Sequence, residues 1–259
     1  MTQALITGGT AGMGLSFARF LAAEGCDLVL VARSRQRLEA TANRIADEFG
    51  VDVRTIVADL TTDDGCAEVG AAVTDVDVLV NNAGMGLGEG FTGASLDREE
   101  KLLDLNVRAV LRLTRTALPA MMERGQGSIV NVSSVAGFGP IMPGSTYNAS
   151  KAWVTNFSES IAPLARRKNV RVMAFCPGFV RTEFHASANI PTSDIPSWMW
   201  LDSDAVVETA MRDLRRGKVV SVPSLHYKVI TALIRHTPHS ILSRIAERAS
   251  AISARGHIH

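Results

Sequence analysis

Tyr147 and Lys151 stand four residues apart in Tyr147-Asn148-Ala149-Ser150-Lys151, so on a helix their side chains share one face. A phenol titrates at about 10 and is almost wholly protonated at neutral pH, which makes it a poor base. An ammonium held beside it favours the phenolate and draws its pKa toward the working range, so the pair can exchange a proton with an oxygen. Alone, a tyrosine at a helix start is usually a packed aromatic with its hydroxyl at the surface. The pair acquires chemical meaning only if the other parts of a site accompany it.

A second chemical signal is Thr7-Gly8-Gly9-Thr10-Ala11-Gly12-Met13-Gly14, which follows a strand candidate and opens a helix candidate. Gly8 permits a tight turn, Gly12 lets the backbone approach a pyrophosphate, and Gly14 lets the helix pack closely on the sheet. The helix N-terminus then offers unpaired N–H groups and its positive dipole end to the phosphates. Thr10 and Met13, inside the turn, join the cofactor-binding set. At the carboxyl end of the second strand candidate stand Ala32, Arg33 and Ser34. A carboxylate there would suit a ribose 2′-hydroxyl, whereas a guanidinium suits a 2′-phosphate. Asp27 lies at the opposite end of that strand, so Arg33, with Ser34 beside it, points to NADP(H). A solvated surface arginine is the alternative.

The elements that must position these residues alternate along the chain. Strand candidates are Ala4 to Thr7, Asp27 to Ala32, Asp52 to Ala58, Val76 to Val80, Ser128 to Ser133, Arg171 to Phe175 and Lys218 to Val222. Helical periodicity fills Met13 to Glu24, Arg35 to Phe49, Asp63 to Val73, Asp97 to Arg124, Tyr147 to Arg167 and Asp204 to Arg216. Ser34 and Ser203 are candidate caps. The alternation predicts an α/β fold, a doubly wound seven-stranded parallel sheet of the Rossmann type. Pro163, inside the fifth of these helices, predicts a kink or an early break.

The length of 259 residues suits one domain with a C-terminal helical extension, and 46% hydrophobic residues with 20% charged excludes a disordered chain. A formal net charge of +1, with scattered basic residues, gives no reason to expect a nucleic-acid partner. Cys26, Cys66 and Cys176 lack metal-ligand or CxxC spacing and read as reduced thiols. No leader precedes the first strand signal and no long apolar run appears, so a cytoplasmic chain without a membrane span is expected. His236 and His239, and His257 and His259, lack accompanying ligands, and no metal site is expected.

Together these motifs resemble the short-chain dehydrogenase/reductase superfamily, over about Ala4 to Val222. The matching pieces are Gly8, Gly12 and Gly14, then Asn81-Asn82-Ala83-Gly84, Ser134 thirteen residues before Tyr147, the Tyr147 to Lys151 run, and Pro177-Gly178 with Thr182 after the sixth strand. Among members, the chain is similar to ketoreductases of the 3-ketoacyl and 17β-hydroxysteroid type. The resemblance implies hydride transfer between a nicotinamide and a carbonyl or secondary alcohol, with Tyr147 as general acid/base, Ser134 holding the substrate oxygen, and Lys151 assisted by oxidised nicotinamide. Asn106 resembles the fourth catalytic position, where it would order a proton-relaying water; a local helix bend is its bland alternative. The resemblance also places Asp59 and Leu60 at the adenine, Asn82, Ala83 and Gly84 at the adenosine ribose, and Val180 and Thr182 at the carboxamide. Association into a homodimer or homotetramer is a further implication.

The irregular stretch 183–201 resembles the family's variable substrate lid. There Phe184, Ile190, Trp198, Met199 and Trp200 would line the way for a hydrophobic ketone, or the tryptophans would anchor the lid to the core. The extension 225–250 reads as two apolar-faced helices divided by Pro238. It would cover the core or build an oligomer interface, while Lys228, Arg235, Arg244 and Arg248 would suit peripheral membrane contact. Two rival functions are a nucleotide-sugar epimerase, which usually needs a larger C-terminal region, and a non-catalytic NADP(H) sensor, against which intact Ser134, Tyr147, Lys151 and Asn106 argue.

Overall fold

Short runs of β-branched and aliphatic residues form strands that, away from the sheet edges, are buried on both faces, as a parallel sheet between two helical layers requires. A computed structural model describes residues 2–139, 146–188, 195–238 and 242. Its strands are β1 (Gln3–Thr7), β2 (Asp27–Ala32), β3 (Val53–Val57), β4 (Val78–Asn81), β5 (Gly127–Val132), β6 (Val170–Phe175) and β7 (Val220–Ser221). They form one sheet in the order β3-β2-β1-β4-β5-β6-β7, with every neighbouring pair parallel. The order reverses between β1 and β4, and ligands of such sheets lie beyond the carboxyl ends of the strands at that divergence.

The helices are α1 (Gly12–Ala23), α2 (Arg35–Phe49), α3 (Asp63–Ala72), α4 (Leu96–Leu103), α5 (Ala109–Arg124), α6 (Thr146–Arg166), α7 (Phe184–Ser187), α8 (Ser203–Arg215) and α9 (Leu225–His236). Alternate residues of β1 feed the two cores. Ala4 and Ile6 pack with Phe17 of α1 and Val207 of α8, whereas Leu5 packs with Val69 of α3 and Leu113 of α5. Phe17 meets Phe175 of β6 edge-on, with ring centres 5.9 Å apart, tying α1 across to the far strands.

Three local expectations need correction. The helix expected over 97–124 is divided: Asp104–Arg108 forms a π-helical turn between α4 and α5, centred on buried Asn106. Asp202, not Ser203, caps α8, its carboxylate accepting from Ala205 N at 2.9 Å. An anion at a helix N-terminus gains from the dipole as well as the hydrogen bond, and Ser203 Oγ instead meets Ser16 Oγ at 2.7 Å. Pro163 does not break α6, which runs on to Arg166. Its ring lies on the exposed side, where water can satisfy the carbonyl that its missing N–H leaves unpaired. Ser34 does cap α2, accepting from Arg37 N at 3.4 Å.

Candidate functional site

The glycine turn after β1 has the conformations that its sequence demands. Gly8 and Gly12 adopt φ of +68° and +50°, where a side chain would be strained. A Cβ on Gly14 would stand 2.1 Å from Gly8 O, so only glycine lets α1 approach this closely. No side chain caps α1 at Ala11, and its first turn, with Gly12 and Met13, borders a cavity of about 560 Å³. Uncapped N–H groups beside a backbone that no Cβ obstructs fit a dinucleotide pyrophosphate. Thr10 lies on this turn without lining the cavity.

Thr7, at the end of β1, organises the neighbouring strand end. Its hydroxyl accepts from Asn82 N at 3.0 Å and Ala83 N at 2.9 Å. The Asn82 side chain in turn donates to Thr7 O at 2.9 Å and Gly8 O at 3.2 Å. Asn82, Ala83 and Gly84 line the cavity, but the Asn82 amide is committed to holding the glycine turn. Gly84 faces the opposite end of the site: a Cβ there would lie 3.2 Å from Asn106 Oδ1 and 3.4 Å from Lys151 Nζ.

At that end β5 delivers two adjacent serines with divided duties. Ser133 turns inward, its hydroxyl donating to Lys151 O and meeting Thr155 Oγ1, both at 2.7 Å, which fixes α6 against the sheet. Ser134 turns to the cavity, where its hydroxyl hydrogen-bonds the Tyr147 phenol. Lys151 is buried, its Nζ donating to Val132 O at 2.9 Å and lying 5.7 Å from the Tyr147 ring centre. Asn106 Oδ1 accepts from Met85 N at 2.9 Å, while its amide donates to Met85 O at 2.9 Å and Ser150 Oγ at 3.2 Å. Ser150 passes the chain on to Tyr147 O at 2.7 Å. The π-helical turn aims Asn106 at these partners, so its bend and its place in the site are one feature.

The electrostatics differ from the sequence expectation. Burial pushes the Tyr147 phenol up to about 12, with the Ser134 hydrogen bond pulling the other way. Burial pushes the Lys151 ammonium down to about 8, against a weaker upward influence from Cys176. The expected lowering of the phenol by its neighbour is therefore not met in the chain as it stands, because desolvation moves both groups away from charge. The resulting neutral phenol can act as a proton donor.

The segment after β6 closes the cavity. Pro177, Gly178, Val180 and Thr182 all line it, and a Cβ on Gly12 would lie 2.9 Å from Thr182 Cβ, so this segment rests on the glycine turn. Phe184 of α7 meets the Tyr147 ring with centres 5.8 Å apart. Met199 also lines the cavity. The two tryptophans do not: Trp198 is 60% exposed, and Trp200 packs on Phe179 and His185 beneath Arg181. Trp200 is thus the anchor of the pair, whereas Trp198 meets the His226 ring from an exposed position, and Ile190 lies outside the described residues. His185 lines the cavity, its pKa lowered by burial, and its buried Nδ1 has no hydrogen-bond partner among the described residues.

Arg33 and Ser34 stand exposed at the carboxyl end of β2, outside the cavity lining. Arg37, in the first turn of α2, lines the cavity and pairs with Glu183 at 2.8 Å. Asp59 bonds locally to Thr61 at 2.9 to 3.0 Å and Leu60 is buried, so neither lines the cavity. Sequence reasoning missed Thr7, Arg37, Phe179, His185, Tyr227 and Ile230. Arg37 was detectable as a second arginine in the first turn of the helix that follows Arg33. Nothing local marks Tyr227 or Ile230, which arrive from α9. The second expected tail helix lies outside the described residues, except Leu242, which is buried. Among the described residues no helix is long and apolar enough to cross a membrane.

Comparison with known proteins agrees with this geometry. The sequence profile of the short chain dehydrogenase family matches residues 2–192. The very-long-chain 3-oxoacyl-CoA reductase of Rattus norvegicus is 35% identical over 223 residues, 84% of this chain and 71% of the relative. Its counterpart from Bos taurus is 36% identical over 217 residues, 82% of this chain and 68% of the relative. Among solved structures, a short-chain dehydrogenase from Sphingobium yanoikuyae in complex with NADPH superposes with a TM-score of 0.84 at 32% identity, covering 100% of this chain and 97% of that one. A bulky-bulky ketone specific alcohol dehydrogenase from Comamonas testosteroni gives a TM-score of 0.78 at 30% identity, covering 100% and 96%. A family profile over residues 2–192 and relatives matched along most of both chains settle the family: this chain belongs to the short-chain dehydrogenases and is an oxidoreductase.

Proposed function

We propose that the chain is an NADP(H)-dependent ketoreductase acting on ketones with an apolar surround, 3-oxoacyl-CoA thioesters being the first candidates. One observation carries the reading: a phenol that keeps its proton, hydrogen-bonded to a serine hydroxyl, shares one cavity with an uncapped helix N-terminus set among glycines. The NADPH held by the Sphingobium relative and the 3-oxoacyl-CoA named for the rat relative support the choice of cofactor and substrate.

Gly8, Gly12, Met13 and the N-terminus of α1 would hold the pyrophosphate, with Gly14 and Thr10 shaping the turn. Arg33, Ser34 and Arg37 would take the 2′-phosphate, and Asp59 and Leu60 would border the adenine. Asn82, Ala83 and Gly84 would meet a ribose, and Pro177, Gly178, Val180 and Thr182 the nicotinamide carboxamide. When bound, the cofactor supplies the hydride. Ser134 holds the substrate oxygen, Tyr147 delivers its proton there, and Lys151, charged below about 8, favours the anionic phenol that results. Asn106 keeps the relay beside Lys151 in place.

The test is NADPH absorbance followed with a panel of 3-oxoacyl thioesters, aliphatic ketones and steroids, alongside the NADH rates. Turnover of acyl ketones with a clear preference for NADPH is expected. Cofactor binding without turnover across the panel would favour a sensor, and a preference for NADH would remove the role given to Arg33 and Arg37.

A further inference from the structure

Described residues between β6 and α8, among them Phe179, Val180, Thr182, Phe184 and Met199, form a roof on the cavity, and that roof has a neck. Val180 pairs with Leu201 in a parallel bridge. Leu201 N donates to Phe179 O at 2.8 Å and Arg181 N to Leu201 O at 3.1 Å. The backbones of 179–181 and 199–201 thus run side by side. One side chain from a distant element joins the two. Tyr227 of α9 accepts from Phe179 N at 3.0 Å and donates to Met199 O at 2.8 Å. Both capacities of its hydroxyl are used, one on each side of the neck.

The ring of Tyr227 is fitted as closely as its hydroxyl. Tyr227 is only 1% exposed, and a Cβ on Gly178 would stand 2.0 to 2.4 Å from its ring carbons. Gly178 is thus required by the tyrosine behind it, not by a turn of its own. The same residue pair forms part of the cavity wall, along with Phe179 and Met199. Any shift of the ring would move the backbone that carries Val180 and Thr182, and Thr182 rests on Gly12. A buried phenol needs partners for its hydroxyl in any case; here both are backbone groups, one on each side of the neck.

We propose that Tyr227 is a positioning residue: from α9 it staples the neck of the roof and sets the Pro177 to Thr182 segment against the glycine turn. It touches no reacting atom and acts through Phe179 and Met199. The kinetic consequence rests on the ketoreductase reading; the structural one does not.

The experiment combines hydrogen exchange on the cofactor-free wild-type chain with kinetics and exchange on Tyr227→Phe. In the wild type the Phe179 and Leu201 amides should be strongly protected. Unprotected Phe179 and Leu201 amides would overturn the proposal whatever the variant does. Tyr227→Phe keeps the ring and orphans the neck. It should exchange those amides at least tenfold faster while amides of β1 and β4 are unchanged. Ketone KM should rise about fivefold or more, and NADPH affinity, read by fluorescence, should weaken as well, because the neck carries the Pro177 to Thr182 segment given to the carboxamide. Wild-type neck exchange, or a lower kcat with unchanged KM that tracks the folded fraction, would overturn the positioning role. Should Tyr227→Phe not fold, Gly178→Ala keeps the phenol but displaces the ring and is read by exchange alone: the Phe179 and Leu201 amides should again exchange at least tenfold faster, and wild-type neck exchange in that variant would be contrary. A staple confirmed by exchange in a chain that reduces no ketone would leave the neck in place and remove only the ketoreductase reading.

Discussion

A phenol with a pKa of about 12 keeps its proton at every pH where the chain would work, so Tyr147 starts a catalytic cycle as an acid and is suited to reduction. Tyr147→Phe should leave NADPH binding intact and lower kcat roughly a hundredfold or more, the usual range for losing a general acid; steady-state rates and a binding titration check both halves. Lys151 sets the pH range. Its ammonium loses its proton as pH rises through about 8, so reduction should be level near neutrality and decline above that point. Folding a lysine whose pKa falls from its ordinary 10.5 to about 8 costs roughly 3 kcal/mol at neutral pH. The cost is full below about 8 and disappears as pH rises toward 10.5, since the unfolded chain then holds protons that the folded chain has released. Lys151→Met leaves Val132 O unpaired, at about 1 to 2 kcal/mol. The variant should therefore be inactive yet more stable at pH 7 by about 1 to 2 kcal/mol, an advantage that shrinks between pH 8 and 10.5; urea titrations across that range would show it. The residue types of this pair were legible from their spacing. The direction of the phenol's shift was not, because spacing gives neighbours but not the depth at which both are desolvated.

At the scale of elements, strands could be read where burial alone dictates composition. Leu28 to Val31 of β2 are apolar without alternation because helices cover both faces of the sheet. The glycine turn was equally legible, since Gly8, Gly12 and Gly14 each answer a local backbone demand. Misreadings came where a distant partner decides. Asn106 forms the π-helical turn by bonding Met85 and Ser150, and α9 places Tyr227 with no local mark at all. The glycines allow a test in which one substitution type has opposite signs. Gly14→Ala sets a methyl 2.1 Å from the Gly8 carbonyl and should destabilise by about 1 to 3 kcal/mol or more, with loss of NADPH binding. Gly70→Ala in α3 meets nothing within 4 Å and should stabilise by about 0.5 to 1 kcal/mol through helix propensity. Denaturant midpoints for the two variants should move apart from the wild type in opposite directions.

Across the whole molecule, chemistry sits where two packed layers stop. The two cores fill the faces of the sheet, and the cavity opens at the carboxyl edge between the diverging β1 and β4, where neither core extends. The rest of its wall comes from outside the sheet: Phe184 and Met199 from the roof, Ile230 from α9, Val135 and Ala136 from the turn after β5. Polar groups gather at Ser134, Tyr147 and Lys151 and on the Arg37 and Glu183 side, whereas Val135, Ala136, Phe184, Met199 and Ile230 present apolar surface, so selectivity among ketones should follow the area they bury there. Each methylene taken from water contributes about 0.8 kcal/mol, equivalent to a rise of roughly fourfold in kcat/KM. A homologous series of 3-oxoacyl substrates should climb at that rate while its chain fills the apolar part of the cavity that the cofactor leaves free and then level off. Replacing Ile230 with Ala should move the plateau to longer chains, because Ile230 lines the cavity from the tail helix. A series that is flat from its shortest member, or whose plateau ignores Ile230→Ala, would mean that the reacting ketone enters by another wall.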